Sequence, residues 1–142
     1  MADSKEKKIE KLVEISSVGE LKAKDFMSRD VMVVQEGYSI KTAIEILRVH
    51  KISGAPVINP TGHLIGILSS YDLLIQASVQ DLATGIKYNE NVFSIEEDTP
   101  LKKIIVLLYQ KKYRRLPVVN KDMKVTGIVS RIDVLSKILD GK

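Results

Sequence analysis

The chain has 142 residues, enough for one compact unit of ordinary core size and too few for a large multidomain enzyme. Apolar residues at 44% and charged residues at 28% are globular values, and the absence of cysteine excludes disulfides, thiolate zinc sites, iron–sulfur clusters and a cysteine nucleophile. Lys and Arg number 22 against 18 Asp and Glu, a net charge of +4. That excess lacks the concentrated stripe expected of a nucleic-acid binder, and no apolar run approaches the ~18 residues of a membrane-spanning helix. The polar start, Met1 to Lys8, has no apolar stretch of a signal peptide, so a cytoplasmic location is expected.

In chain order, Asp3–Val18 is expected to form an amphipathic helix. Ile9, Leu12 and Val13 lie on one side, Asp3 and Glu6 stand at capping-box spacing, and Lys5, Lys7, Lys8 and Lys11 alternate with Glu6, Glu10 and Glu14 on a solvated face. Val31-Met32-Val33-Val34 reads as a strand ending in the turn Gln35-Glu36-Gly37. Ser39 then caps a helix whose Ile40, Ala43, Ile44 and Leu47 recur at helical spacing and form core. Ala55–Ile58 and Leu64–Leu68 make a hairpin across Asn59-Pro60-Thr61-Gly62, and Ser69 opens a second helix carrying Leu73, Leu74 and Ala77. Gln80–Asn91 is a linker in which Gly85 is expected to end the preceding helix. The pattern then repeats. Val92–Ile95 is a strand; Thr99 caps and Pro100 starts a helix with Leu101, Ile104, Ile105 and Leu108; Leu116–Val119 and Val125–Val129 form a hairpin; Ser130 opens a helix with Val134, Leu135 and Ile138.

The repetition is literal. A shift of 61 lays Val31–Leu73 over Val92–Val134 without a gap, and 13 of the 43 pairs are identical, including Pro56/Pro117, Gly66/Gly127, Ser69/Ser130 and Asp72/Asp133. One β-α-β-β-α unit of this size cannot bury both helix stripes alone. The expected architecture is therefore α+β: two such repeats packed about a pseudo-two-fold axis behind an N-terminal helix. The boundaries are 1–22 for helix and linker, 23–81 for the first repeat and 82–142 for the second. Leu74 and Ala77, with Leu135 and Ile138, exceed what one intramolecular neighbour covers, so a homodimer is expected.

The phrases Gly54-Ala55-Pro56-Val57-Ile58 with Gly66-Ile67-Leu68-Ser69-Ser70-Tyr71-Asp72, and Arg115-Leu116-Pro117-Val118-Val119 with Gly127-Ile128-Val129-Ser130-Arg131-Ile132-Asp133, resemble the tandem cystathionine β-synthase (CBS) domain pair, or Bateman module. The resemblance covers about 24–139. It implies a stand-alone regulatory module that binds adenosine-containing ligands (AMP, ADP or ATP, in some members S-adenosylmethionine or cyclic dinucleotides) in up to two clefts between the repeats; the homodimer expected from the exposed helix faces is then a flat four-repeat disc. Physical chemistry agrees with that implication. A strand glycine allows close approach of a ligand to backbone, a serine at a helix start leaves amide donors facing an anion, and an aspartate one turn on can accept both hydroxyls of a ribose. Caps use the same residues, and the family pattern is what favours the ligand.

On that pattern one site combines Ser130, Asp133, Ile128 and Arg115 with Met27, Met32, Ile52 and Ser53. The other combines Ser69, Asp72 and Ile67 with Tyr88, Phe93, Tyr113 and Arg114, and has Gly54 where the first has Arg115. A guanidinium there can fork onto phosphate, which favours the Asp133 site. His50 and His63 read as solvated, no metal-ligand spacing or nucleophile–base pair emerges, and catalysis is not expected. No cofactor beyond the regulatory nucleotide is expected, an effector protein is an open partner, and membrane is not expected. The competing readings are a ligand-free dimerisation or adaptor module and nucleic-acid binding through Lys111–Arg115. The second would need strongly salt-dependent affinity and has one short basic run to support it.

Overall fold

Ser39 begins the first long helix as its sequence position predicts, its hydroxyl accepting the Thr42 N–H at 3.1 Å, and Lys51 closes that helix in the left-handed conformation at φ 53°. The computed structural model describes residues 21–110 and 114–141; the expected helix over Asp3–Val18 lies outside them, as do Lys111, Lys112 and Tyr113. The elements are α1 (Ala23–Phe26), β1 (Val34–Gln35), α2 (Ile40–His50), β2 (Gly54–Ile58), β3 (Leu64–Ser69), α3 (Ser70–Val79), β4 (Ile95–Glu96), α4 (Leu101–Gln110), β5 (Arg115–Val119), β6 (Val125–Ser130) and α5 (Arg131–Gly141). The fold is α+β with two β-α-β-β-α repeats.

Two compact units form. One holds residues 31–93 and 122–125, dominated by the first repeat; the other holds 21–30, 94–110, 114–121 and 126–141, dominated by the second. The first has a sheet in the order β1-β2-β3. β1 runs parallel to β2 with Val34 opposite Val57, and β2 pairs antiparallel with β3 from Gly54 opposite Ser69 to Ile58 opposite Leu64. Its core is Val34, Ile40, Ala43, Leu47, Val57 and Leu68, the helix stripe and strand alternation read from the sequence. The second unit repeats the order as β4-β5-β6, with Ile95 opposite Val118 and a core of Leu101, Ile104, Leu108, Leu116, Val118 and Val129.

Three local expectations change. The strands expected over Val31–Val34 and Val92–Ile95 shrink to Val34–Gln35 and Ile95–Glu96. Extension by one residue would set Val33 opposite Pro56 and Ser94 opposite Pro117, and proline has no N–H to give a ladder. Thr99 does not cap α4: its hydroxyl accepts from the Glu96 N–H at 3.1 Å, while the Pro100 carbonyl accepts the first helical bond, from Ile104, and the Leu101 N–H is satisfied by the Leu21 carbonyl at 2.8 Å. Gly85 ends no helix, because α3 stops at Val79; Gly85 instead bridges Ser39.

One internal defect is testable. Among the described residues the buried Thr126 hydroxyl has no hydrogen-bond partner, and an unsatisfied buried hydroxyl costs on the order of 1 kcal/mol or more. Thr126→Val keeps the shape, removes the orphan, and is expected to raise unfolding stability by about 1 kcal/mol in urea denaturation; a loss of stability would show that the hydroxyl is solvated.

Candidate functional site

Each unit carries the same arrangement of a last strand, a serine cap and an aspartate. In the first, the Asp72 N–H donates to Ser69 Oγ at 3.1 Å at the start of α3. In the second, the Asp133 N–H donates to Ser130 Oγ at 3.2 Å, and the Ser130 N–H returns a bond to Asp133 Oδ2 at 2.8 Å, completing a capping box. The box holds the Asp133 carboxylate in one orientation. The Asp72 carboxylate has no hydrogen-bond partner among the described residues, and only its backbone N–H and carbonyl are engaged. Both aspartates are half-buried.

The glycines before these serines correct a sequence-based expectation. Close approach at Gly66 and Gly127 is used by the protein itself: a Cβ on Gly66 would stand inside the ring of Tyr88 and 2.8 Å from the Asn89 carbonyl oxygen, and one on Gly127 would meet the Met27 side chain and stand 3.1 Å from the Ser28 oxygen. Backbone pairs fix both contacts. Ile67 and Asn89 exchange N–H···O bonds of 2.9 and 3.0 Å, and Ser28 and Ile128 exchange two of 2.9 Å. Met27 and Tyr88 stand 61 apart, so they occupy equivalent places, a thioether against one strand and a phenol against the other. The structure thus brings Met27 to Ile128 and Tyr88 to Ile67 within single units.

Around Tyr88 lies a cavity of about 400 Å³ lined by Asp72, Ile75, Gln76, Lys87, Tyr88 and Asn89. Gln76 holds its wall: Nε2 donates to the Lys87 carbonyl and Oε1 accepts the Lys87 N–H, both at 2.8 Å. Ile75, Gln76, Lys87 and Asn89 were not among the sequence-derived site residues. Continuing the 61-residue shift four positions upstream of Val31 and Val92 sets Met27 opposite Tyr88, the signal that leads to this segment.

The other expected site residues fall as follows. Ser53 sits beside the Asp72 helix, its carbonyl accepting the Ser70 N–H at 2.8 Å, and Ile52 packs on the first unit's core. Met32 is half-buried between α1 and β1 and Phe93 is exposed at the end of the same unit. Arg115 opens β5 half-buried, Arg114 precedes it exposed, and Tyr113 is outside the described residues.

Electrostatics single out Tyr88. Burial raises its phenol above the ordinary tyrosine value, and the negative charges of Glu36 and Glu90 and a hydrogen bond with Glu36 add to the rise. Because the folded-state value exceeds the unfolded one, the stability contributed by the neutral phenol is complete below about pH 10 and is lost as pH rises through the folded value. Glu36→Gln removes one charge and is expected to lower the Tyr88 titration midpoint, measured by ring NMR; an unchanged midpoint would leave burial and the Glu90 charge as the causes. On the second unit, Lys24 Nζ pairs with Asp98 at 3.0 Å, which raises the lysine and lowers the carboxylate; both side chains are exposed.

Two repeats of this topology, each ending in a serine-capped helix with an aspartate at its first turn, define a tandem-domain architecture. The CBS domain family model matches residues 23–78 and again 79–140, and the chain belongs to the CBS domain family, with two such domains in tandem. Among curated relatives, CBSX1, a chloroplastic CBS domain-containing protein of Arabidopsis thaliana, is 30% identical over 90% of this chain and 66% of its own. The A-adding tRNA nucleotidyltransferase of Aquifex aeolicus is 32% identical over 83% of this chain and 14% of its own, and the inosine-5′-monophosphate dehydrogenase of Methanocaldococcus jannaschii is 26% identical over 82% and 23%. The chain therefore spans two thirds or less of these relatives, and such pairs occur both in CBSX proteins and inside enzymes.

Among solved structures, CBSX2 in complex with AMP has a TM-score of 0.74 at 31% identity, covering 84% of this chain and 96% of that one. The CBS pair of MJ0100, with 5′-methylthioadenosine and S-adenosyl-L-methionine, scores 0.69 at 26% identity over 85% and 97%. The cytosolic domain of the magnesium channel MgtE, with ATP, scores 0.72 at 27% over 82% and 48%. Among the described residues no helix is long and apolar enough to cross a membrane, and no group of three metal-ligating side chains forms.

Proposed function

We propose that the chain is a cytoplasmic, non-catalytic regulatory module that senses an adenosine-containing nucleotide. The observation that carries this reading is the Tyr88 cavity: about 400 Å³ is in the range of small-ligand sites, and one wall offers an aromatic face while another offers an unpartnered carboxylate. Tyr88 stacks the base, Asp72 accepts the ribose hydroxyls, and the Ser69 end of α3 faces the polar remainder. The equivalent site uses Asp133, Ser130, Ile128 and Met27, with Arg115 for phosphate. The ligands of CBSX2, MgtE and the MJ0100 pair all contain adenosine, which supports the class and leaves AMP, ADP, ATP and S-adenosylmethionine as the molecules to titrate.

A bound nucleotide acts on a partner by differential affinity for two conformations or assembly states. The state concerned is a homodimer, supported by the exposed Leu74, Ile132, Leu135 and Leu139. Those faces also favour the second reading, a constitutive adaptor with empty sites.

Calorimetric titration separates the two. The wild-type chain is expected to bind AMP or ATP, Asp72→Ala and Asp133→Ala each to lose one class of site, and the double variant to lose binding while keeping its unfolding transition. Wild-type affinity in the double variant would overturn the assignment, and no binding by the wild-type chain would leave the adaptor.

A further inference from the structure

The segment that walls the Asp72 cavity, Lys87 to Asn89, belongs to no helix or named strand, and it is tied down at three places within the first-repeat unit. Upstream, the Ile86 N–H donates to the Tyr38 carbonyl at 3.0 Å, and the Thr84 carbonyl accepts the Ile40 N–H at 2.9 Å at the start of α2. Downstream, Asn89 and Ile67 exchange two backbone bonds. Between these anchors stands Gln76. Its Oε1 accepts the Lys87 N–H and its Nε2 donates to the Lys87 carbonyl, both at 2.8 Å, while the second proton of Nε2 reaches the Asp72 carbonyl at 3.3 Å. One orientation of the amide satisfies all three bonds, since the flipped one would turn its oxygen toward two carbonyls.

We infer that Gln76 is a positioning residue of the Asp72 site: by clasping the peptide groups of Lys87 it holds Tyr88 in the place where the base stacks, and it acts on the ligand through that ring. The inference rests on the nucleotide reading above. Asp72 and Gln76 stand one turn apart on α3, so the helix that presents the ribose acceptor also holds the segment that carries the aromatic face. Tyr88 lies between the clasped residue and the bridged one. With Lys87 and Asn89 both fixed its backbone has no slack, and its half-buried ring rests against Gly66. Without the clasp, Ile86 and Asn89 still anchor the ends, but Lys87 and Tyr88 regain backbone freedom that the ligand must then remove. Stability is little affected, because Lys87 is exposed and water can satisfy its N–H and carbonyl. The second repeat has Lys137 at the place of Gln76, and an ammonium has donors and no acceptor, so this clasp cannot form there. The counterpart of Lys87, Phe26, instead ends α1, and the Met27 N–H donates to the Ala23 carbonyl at 2.8 Å. The two sites are thus ordered by different devices.

Gln76→Met keeps the length and helix preference of the side chain and loses both halves of the clasp. In the Asp133→Ala background, where the Asp72 site is read alone, Gln76→Met is expected to bind adenosine about three- to tenfold more weakly, with an unchanged urea midpoint. The Asn89 N–H, which Gln76 does not touch, is expected to exchange with solvent about tenfold faster, a readout that involves no ligand. A double-mutant cycle then separates positioning from direct contact: in a chain that also carries Tyr88→Ala, Gln76→Met is expected to have no further effect on adenosine, measured by ligand-observed NMR, because the ring it positions is gone. Equal losses with and without the Tyr88 ring would make Gln76 a contact of its own and overturn the inference. Unchanged Asn89 exchange in Gln76→Met would overturn it as well. If the Asp133→Ala chain binds neither adenosine nor AMP, the nucleotide reading fails and the positioning role fails with it; if that chain binds adenosine and Gln76→Met binds it equally well, the positioning role alone fails.

Discussion

Gly66→Ala is expected to destabilise the chain by about 2–3 kcal/mol, and Gly127→Ala by about 1 kcal/mol, in urea denaturation. The difference lies in what the new methyl meets. At Gly66 it enters the Tyr88 ring and stands 2.8 Å from the Asn89 carbonyl oxygen. The ring is flat and rigid, and the carbonyl belongs to the backbone pair with Ile67, so relief requires breaking two hydrogen bonds of 2.9 and 3.0 Å or turning Tyr88 out of its place. At Gly127 the methyl meets the Met27 thioether, whose three rotatable bonds let it withdraw, and the Ser28 oxygen at 3.1 Å asks for a shift of a few tenths of an ångström. Gly66→Ala is also expected to weaken nucleotide binding at the Asp72 site, because Tyr88 lines that cavity. Equal losses of stability in the two variants would show that the Tyr88 ring yields as easily as a methionine.

The 61-residue shift made the two-repeat topology, the helix stripes and the serine caps readable before any coordinates. It held because each rests on short-range spacing: Ile40, Ala43 and Leu47 on one helical face, or Ser69 three residues before the aspartate whose N–H it accepts. Even the α4 cap was implicit, since Pro100 is the counterpart of Ser39, and the preference of threonine for caps misdirected the reading to Thr99. The partners of β3 and β6 at Ile67 and Ile128 were not readable. Ser28 pairs with Ile128 across a hundred residues, and Asn89 pairs with Ile67 through one bridge with no strand period of its own. Such pairing is chosen by tertiary packing, here by the need to fill the space that each missing Cβ leaves, so Tyr88 and Met27 enter the sequence reading through the family resemblance, and the 61-residue shift shows only that they are counterparts. The same holds for Gln76, whose clasp on Lys87 depends on how the linker returns to α3.

The two proposed sites are expected to respond to different parts of the ligand. Arg115, at the start of β5, has Gly54 as its counterpart, so only the Asp133 site holds a guanidinium at that place. Tyr88 has Met27 as its counterpart, so only the Asp72 site presents an aromatic face against its glycine. A charge-assisted contact to phosphate contributes roughly 1.5–3 kcal/mol and acts on AMP and not on adenosine, whereas base stacking contributes roughly 1–3 kcal/mol and acts on both. Read in the Asp72→Ala background, Arg115→Ala should therefore weaken AMP about tenfold or more, about 1.4 kcal/mol, and leave adenosine unchanged. Read in the Asp133→Ala background, Tyr88→Ala should weaken AMP and adenosine by the same factor, about five- to a hundredfold, and Tyr88→Phe should retain most of the affinity because the ring face is kept. The capping box adds a direction of its own: Asp133 is already oriented by the Ser130 N–H at 2.8 Å, whereas Asp72 must be ordered by the ligand, so the Asp133 site gives up less freedom on binding and should be the tighter one for AMP. If Arg115→Ala weakens adenosine as strongly as AMP, the guanidinium is shaping the site and not reading phosphate. If the Asp72 site proves the tighter for AMP, stacking on Tyr88 outweighs both the charge and the preorganised carboxylate.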